Sequence, residues 1–236
     1  MTGVQTCALP ISAPIRDVLT LWQGLGYNRR ALNLKRAGEM LLMKHNGVFP
    51  KTIPEIDALP GIGPYTAGAI AAFGFNLPVV FIETNIRTVY LHFFFKGRTK
   101  IRDEELLLLI EQTLPFHTTP HKKHSDIPRL QPYGGQVQNV RMSPREWYNA
   151  LMDYGAMLKS TVGNPNIHSA AYTKQSAFKG SRRQLRGEIL RRASKHGTVA
   201  ERDFIDIETE FSPKELLAEL VREGFLKKQG RRFIVA

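Results

Sequence analysis

The sequence predicts an all-α fold that ends in a small mixed α+β module. Three observations carry that prediction. Apolar residues recur at helical spacing through much of residues 15–159, with capping residues where the repeats begin. A Gly-x-Gly turn, Leu59-Pro-Gly-Ile-Gly63, lies between two short helical patterns. Near the end, two short strand-like runs flank Gln229 and Gly230.

The elements follow in order. Ile15 to Gln23 reads as the end of an amphipathic helix. Arg29 to His45 reads as another, with Leu32, Leu34, Ala37, Met40, Leu41 and Met43 near helical spacing and Gly47 as its stop. Thr52 reads as the N-cap of a short helix with Pro54 in its first turn. Tyr65 to Phe75 is small and apolar, as in a buried helix, and Leu77 to Ile82 is a short extended link. Thr84 to Phe95 and Asp103 to Leu114 are helices, the second acidic at its start, which suits the helix dipole. Ser143 caps a helix that runs to Lys159, with Pro144 first and Glu146 completing a capping box. Trp147, Leu151, Tyr154 and Leu158 fall on one face of it and read as core.

Between these helices, Phe116 to Met142 is rich in His, Pro, Gln and Gly and has no periodicity, so it reads as a disordered insertion. His117, His121 and His124 have a spacing that a metal site could use, but compositional bias is the plainer reading. From Gln184 a second unit begins. It has a helix over Leu185 to Ala193, a segment around Phe204 to Ile207, and a helix over Pro213 to Glu223 capped by Ser212. Its strand pair carries Lys227, Lys228, Arg231 and Arg232 beside the turn. This arrangement resembles a winged helix that touches DNA, with a packing or dimerisation module as the alternative.

Composition narrows the function. The chain has 236 residues, 42% of them hydrophobic, and a formal charge of +12. That balance suits a polyanionic partner without identifying one. No apolar run is long enough to span a bilayer. Cys7 is the one cysteine, which excludes a disulfide framework and a thiolate metal site.

The hairpin gives the charge a use. Gly61 and Gly63 allow a tight turn, and the helix after them starts with bare amide groups, which suit a phosphate. Leu59, Pro60, Gly61, Ile62, Gly63, Tyr65 and Thr66 are therefore expected to grip a DNA backbone without reading its sequence. Three stretches together resemble the helix-hairpin-helix DNA glycosylases of the MutY type. They are Leu21 to Leu34, the run Leu59 to Ile70, and Val80-Phe-Ile-Glu-Thr-Asn-Ile-Arg-Thr-Val89. Similarity covers residues 18–159, with one interruption.

The resemblance implies a two-lobed helical glycosylase domain over residues 13–160, a polar linker over 161–182 and the winged-helix-like module over 183–236. It implies hydrolysis of the N-glycosidic bond of a mismatched adenine in double-stranded DNA, with excision of another damaged or mismatched base, or DNA binding without catalysis, as the alternatives. Glu83 stands where the family carries its catalytic aspartate, and Asn85 where it carries an asparagine. Tyr65 stands where lyase-competent relatives have lysine, so a monofunctional hydrolase is expected. Tyr27, Arg29, Arg30 and Arg87 are expected to meet phosphates. Many relatives hold an iron–sulfur cluster in a four-cysteine loop after residue 160. This chain has no cysteine there, so no cluster is expected, while a monovalent cation at the hairpin is admitted. A monomer acting in the cytoplasm on the nucleoid, with no membrane partner, is the corresponding expectation. Residues 1–12 resemble a translated sequencing adapter, and the natural chain is expected to enter at about Ala13. No residue matches the glutamate with which relatives protonate the leaving base, so weak activity is expected.

Overall fold

A computed structural model describes residues 11–115, 142–175 and 177–236. The histidine tract at 117–124, nearly all of the 116–142 insertion, Cys7 and most of the adapter-like tail lie outside the described residues. The fold is mostly helical, with a three-stranded antiparallel sheet near the C-terminus. Two compact units divide the chain. The first holds residues 1–49, 59–61 and 175–236, and the second holds 50–58 and 62–174.

The first unit contains α1 (Ile15–Leu21), α2 (Arg29–His45), α8 (Arg182–His196) and α9 (Pro213–Glu223). Its strands are β1 (Thr198–Val199), β2 (Leu226–Gln229) and β3 (Arg232–Val235). Ile15, Val18, Leu19, Ala31 and Leu32 share one core with Leu185, Ile189, Leu217, Leu220 and Phe225. The boundaries expected at residues 160 and 183 therefore differ from the observed units. The apolar sides of α1 and α2 are covered by the C-terminal helices, a pairing that sequence order cannot reveal. On α2 only Ala31, Leu32 and Ala37 are buried, while Leu34 is 48% and Met43 77% exposed, so the buried stripe is narrower than the periodicity suggests. Asn46 ends that helix in the left-handed conformation, one residue ahead of the expected Gly47 stop.

The strand pair forms as expected, with Gln229 opposite Arg232 and Gly230 at φ +61° in the turn. β1 adds a third strand, Thr198 opposite Ile234 and Val199 opposite Phe233. Its two residues are too few to carry a periodicity.

The second unit contains α3 (Ile53–Asp57), α4 (Pro64–Ala69, continued by a wider π-helical turn over Ile70–Gly74), α5 (Thr84–Phe94), α6 (Asp103–Thr113) and α7 (Pro144–Thr161). The capping box on α7 is present: Ser143 N donates to Glu146 Oε2 at 2.8 Å and Glu146 N to Ser143 Oγ at 3.4 Å. Most of the expected face of α7 packs inward, with Leu158 in the core and Trp147 and Leu151 against it, and Tyr154 departs from it. Tyr148, Gly155 and Leu158 are buried, whereas Tyr154 is 42% exposed and stacks on Phe93. Tyr148 tolerates burial because its hydroxyl donates to Val79 O at 2.7 Å. Its ring lies 4.4 Å from that of Phe81, between centroids.

Two helices of this unit approach closely. A Cβ on Gly155 would stand 2.2 Å from Asn85 O, so only glycine lets α7 cross the first turn of α5. After α7 comes a 3₁₀ turn (Pro165–His168). Asn166 is buried there and donates to Thr88 Oγ1 at 2.7 Å, and Ile101 pairs with Ser169 in an isolated bridge.

Candidate active site and DNA-binding hairpin

The hairpin follows from its glycines, in unequal ways. Gly61 has φ +78°, and a Cβ on it would meet the Asn33 side chain at 2.2 Å. It needs glycine for both conformation and space. Gly63 caps α4 in extended geometry, φ −114° and ψ 176°, and nothing lies within 4 Å of a Cβ placed on it. Its openness leaves room beside the first-turn amides of Tyr65 and Thr66, which have no intrahelical acceptor. Pro64 contributes no donor and presets the helical φ. Leu59 is 2% exposed and belongs to the core, so its side chain cannot touch DNA as expected of it. Pro60 and Ile62 are partly buried, and Tyr65 and Thr66 are exposed.

The candidate catalytic residues sit at the start of α5. Glu83 is the N-cap, and its Oε2 accepts from Asn85 N at 2.8 Å. Among the described residues this is the sole hydrogen bond to the Glu83 carboxylate. Capping by itself therefore accounts for one oxygen and leaves the other available. Asn85 Oδ1 accepts from Lys159 Nζ at 2.6 Å. An ammonium only donates, so this contact fixes which way the amide lies and turns Asn85 Nδ2 away as a free-facing donor. Lys159 lies one helical turn beyond Gly155 on α7, so the glycine that admits α7 also delivers the lysine.

Lys159 is the site residue that sequence reading missed. Its signal was a Gly-x-x-x-Lys spacing on a helix otherwise read for its aromatic face.

Arg87 is placed differently from the expectation. It binds Asp103 in bidentate fashion, Nε to Oδ1 at 3.0 Å and Nη2 to Oδ2 at 2.7 Å, and the two side chains are 14% and 13% exposed. That geometry ties α5 to the first turn of α6 and leaves the guanidinium little reach for a phosphate. Tyr65 faces the same carboxylate. Partial burial, then the charge of Asp103, push its phenol above its ordinary range. Tyr65 and Arg87 are thus brought together by a residue that the sequence showed only as a helix-start acid.

Tyr27, Arg29 and Arg30 belong to the first unit. Tyr27 is 68% exposed at φ +49°, a conformation that bulky residues rarely adopt. Arg29 pairs with Glu223 at 2.6 Å, and Arg30 lies 5.7 Å over the Trp22 ring. Among the described residues no group of three His, Cys, Asp or Glu is placed to hold a metal, and no helix is long and apolar enough to cross a membrane.

Known proteins share parts of this sequence. The helix-hairpin-helix motif family matches residues 44–73. An adenine DNA glycosylase of Buchnera aphidicola subsp. Baizongia pistaciae is 40% identical over 108 residues, 45% of this chain and 31% of that protein. One from Mycolicibacterium smegmatis is 26% identical over 247 residues, 98% of this chain and 77% of that protein. The human adenine DNA glycosylase is 35% identical over 79 residues, 33% of this chain and 14% of that protein. The chain thus spans under a third of the Buchnera protein and about three quarters of the mycobacterial one. The chain thus carries a helix-hairpin-helix motif and is similar over part of its length to adenine DNA glycosylases.

Proposed function

We propose that the chain hydrolyses the N-glycosidic bond of a mismatched adenine in double-stranded DNA, acting as a monomer on the nucleoid. The carrying observation is the arrangement at the start of α5: a carboxylate with one uncommitted oxygen beside an asparagine whose orientation is set by Lys159. Loss of a purine builds positive charge on the sugar, and a carboxylate held in place stabilises it. Asn85 Nδ2 supplies a donor for the sugar-phosphate. The hairpin amides hold the backbone, and extrusion of the base costs least at a mismatch.

The reaction is hydrolytic in this proposal. Tyr65 offers no amine, and Lys159 is engaged as a hydrogen-bond donor to Asn85 Oδ1. The module from α8 to β3 is winged-helix-like in this reading, supported by its order of helix, strand, helix and strand pair. No iron–sulfur cluster takes part.

The test is single-turnover excision, with protein in excess, on duplexes carrying adenine opposite guanine or 8-oxoguanine, beside duplexes carrying other lesions. Adenine release from mismatches alone supports the proposal. Release of another base reassigns the substrate. Intact duplex binding with no release from any duplex would make this a DNA-binding protein in which Glu83 is only a cap.

A further inference from the structure

The strand pair β2–β3 carries a charge that the excision reading does not use. Residues 226–235 hold Lys227, Lys228, Arg231 and Arg232 and no acid. All four are exposed, and among the described residues none has an acidic partner. We propose that this strand pair grips the backbone of duplex DNA as a wing, and that the helix before it, α9, stays out of the groove.

The helix is unsuited to DNA. In helix-turn-helix readers the recognition helix enters the major groove and meets base edges. α9 stands in that place, directly ahead of the strand pair. It carries two cations, Lys214 and Arg222, against three glutamates, Glu215, Glu219 and Glu223. It has no Asn, Gln, Ser or Thr to bond a base edge. Two of its acids are already engaged. Arg182 and Arg186 hold Glu219, Arg186 also holds Glu223, and Arg29 of α2 reaches Glu223 at 2.6 Å. Arg36 Nη2 donates to Glu223 O at 3.1 Å. One flank of α9 is thus fastened to α2 and α8, while Leu216, Leu217 and Leu220 face the core.

The wing has the opposite character. Lys227 lies opposite Ile234 and Gln229 opposite Arg232, so these four share the outer face, while Leu226, Phe233 and Val235 pack on the core side. Thr198, also opposite Ile234, joins the outer face. Its hydroxyl accepts from Arg232 Nη1 at 2.8 Å, which fixes the guanidinium and leaves its other donors unspent. Arg231 shares the two-residue turn with Gly230, and nothing lies within 4 Å of a Cβ placed on Gly230, so the tip stands clear. Lysines on an edge strand also discourage strand pairing, and β2 is an edge strand. That accounts for Lys227 and Lys228. It does not account for Arg231 in the turn or Arg232 on the central strand. Clustered cations with no acid among them suit phosphate oxygens and read no sequence. The helix-hairpin-helix motif marks DNA as the polyanion that this chain meets. The inference rests on that contact with DNA and not on which base is removed.

The experiment is fluorescence anisotropy on the full chain with a labelled, undamaged duplex, titrated at several salt concentrations. Lys227→Gln, Lys228→Gln and Arg231→Gln combined should weaken binding about tenfold or more at low salt and make the log–log salt slope shallower by about two to three. The charge-conserving set Lys227→Arg, Lys228→Arg and Arg231→Lys should bind like the wild type. Lys214→Gln with Arg222→Gln, on the exposed side of α9, should change the slope by less than about 0.5. Three results would overturn the proposal: an unchanged slope in the glutamine wing variant, an equal loss in the charge-conserving one, or a loss in the α9 variant as large as that in the wing. Adenine release is read separately by single turnover. Weakened binding in the wing variant with no release from any mismatch would leave the wing standing and sink the excision reading. Release from mismatches with binding untouched by the wing variant would do the reverse. Circular dichroism of each variant separates lost binding from lost structure.

Discussion

One arginine pair in each unit shows two opposite uses of the residue. In the second unit, Arg87 and Asp103 are 14% and 13% exposed and meet through two short hydrogen bonds. In the first unit, Glu223 at 15% is recessed beneath Arg29 at 66%, so there the acidic partner is covered and the arginine faces water. The same residue type is a structural tie in one place and a held-out charge in the other. What separates them is the exposure of the cation, and exposure decides both what the pair contributes to stability and what it can still bind.

The largest expected effect breaks the tie. Arg87→Ala leaves the Asp103 charge buried and unpaired, which should cost about 3–5 kcal/mol of stability in chemical denaturation. Arg29→Ala should cost about 1 kcal/mol or less. Equal costs would erase the distinction, and a stable Arg87→Ala with weakened DNA binding would restore the phosphate role first expected of Arg87.

Next comes Gly155→Ala, whose Cβ would stand 2.2 Å from Asn85 O. Overpacking of this kind costs about 1–3 kcal/mol. Because the strain falls on the first turn of α5, excision should drop as well. An unaffected melting curve would show that α7 does not pin that turn.

Lys159→Met should slow excision about tenfold while leaving the fold intact, since a charge-assisted hydrogen bond of roughly 1.5–3 kcal/mol is lost at the site. Lys159→Arg should recover part of the rate. A variant as fast as the wild type would confine Lys159 to the surface.

The smallest effect is on pH dependence. Burial raises the phenols of Tyr65, Tyr90 and Tyr148 above the ordinary value of 10.0. A raised pKa contributes stability that is present below the unfolded value and lost as pH rises through the folded one. Melting temperature should therefore hold up to about pH 10 and fall above it, as tyrosinate absorbance rises. Ionisation of all seven tyrosines near pH 10 in the folded protein would contradict this.

Much of the fold was legible because it is written locally. Ser143 and Glu146 announce a helix start at three-residue spacing, and Gly61 announces a turn, since both act on their own backbone. What escaped depends on partners far along the chain. Asp103 looked like an acid suited to a helix dipole, and only folding brings it to Arg87 and Tyr65. Lys159 and Gly155 lie 74 and 70 positions from Asn85, counted from their residue numbers, and no periodicity links them. The union of α1 and α2 with the C-terminal helices escaped for the same reason. The candidate carboxylate was found through resemblance, and the structure adds that it is also the N-cap of α5.

That double role makes Glu83→Gln the most direct test of the account. Glutamine keeps a carbonyl oxygen able to accept from Asn85 N, so the cap survives in weakened form while the charge is lost. Single-turnover release of adenine from a mismatched duplex should fall by about 10²–10³-fold, with duplex binding unchanged within a factor of about two. Adenine release at the wild-type rate by a folded Glu83→Gln variant would show that Glu83 only caps its helix and that the chemistry, if present, lies elsewhere.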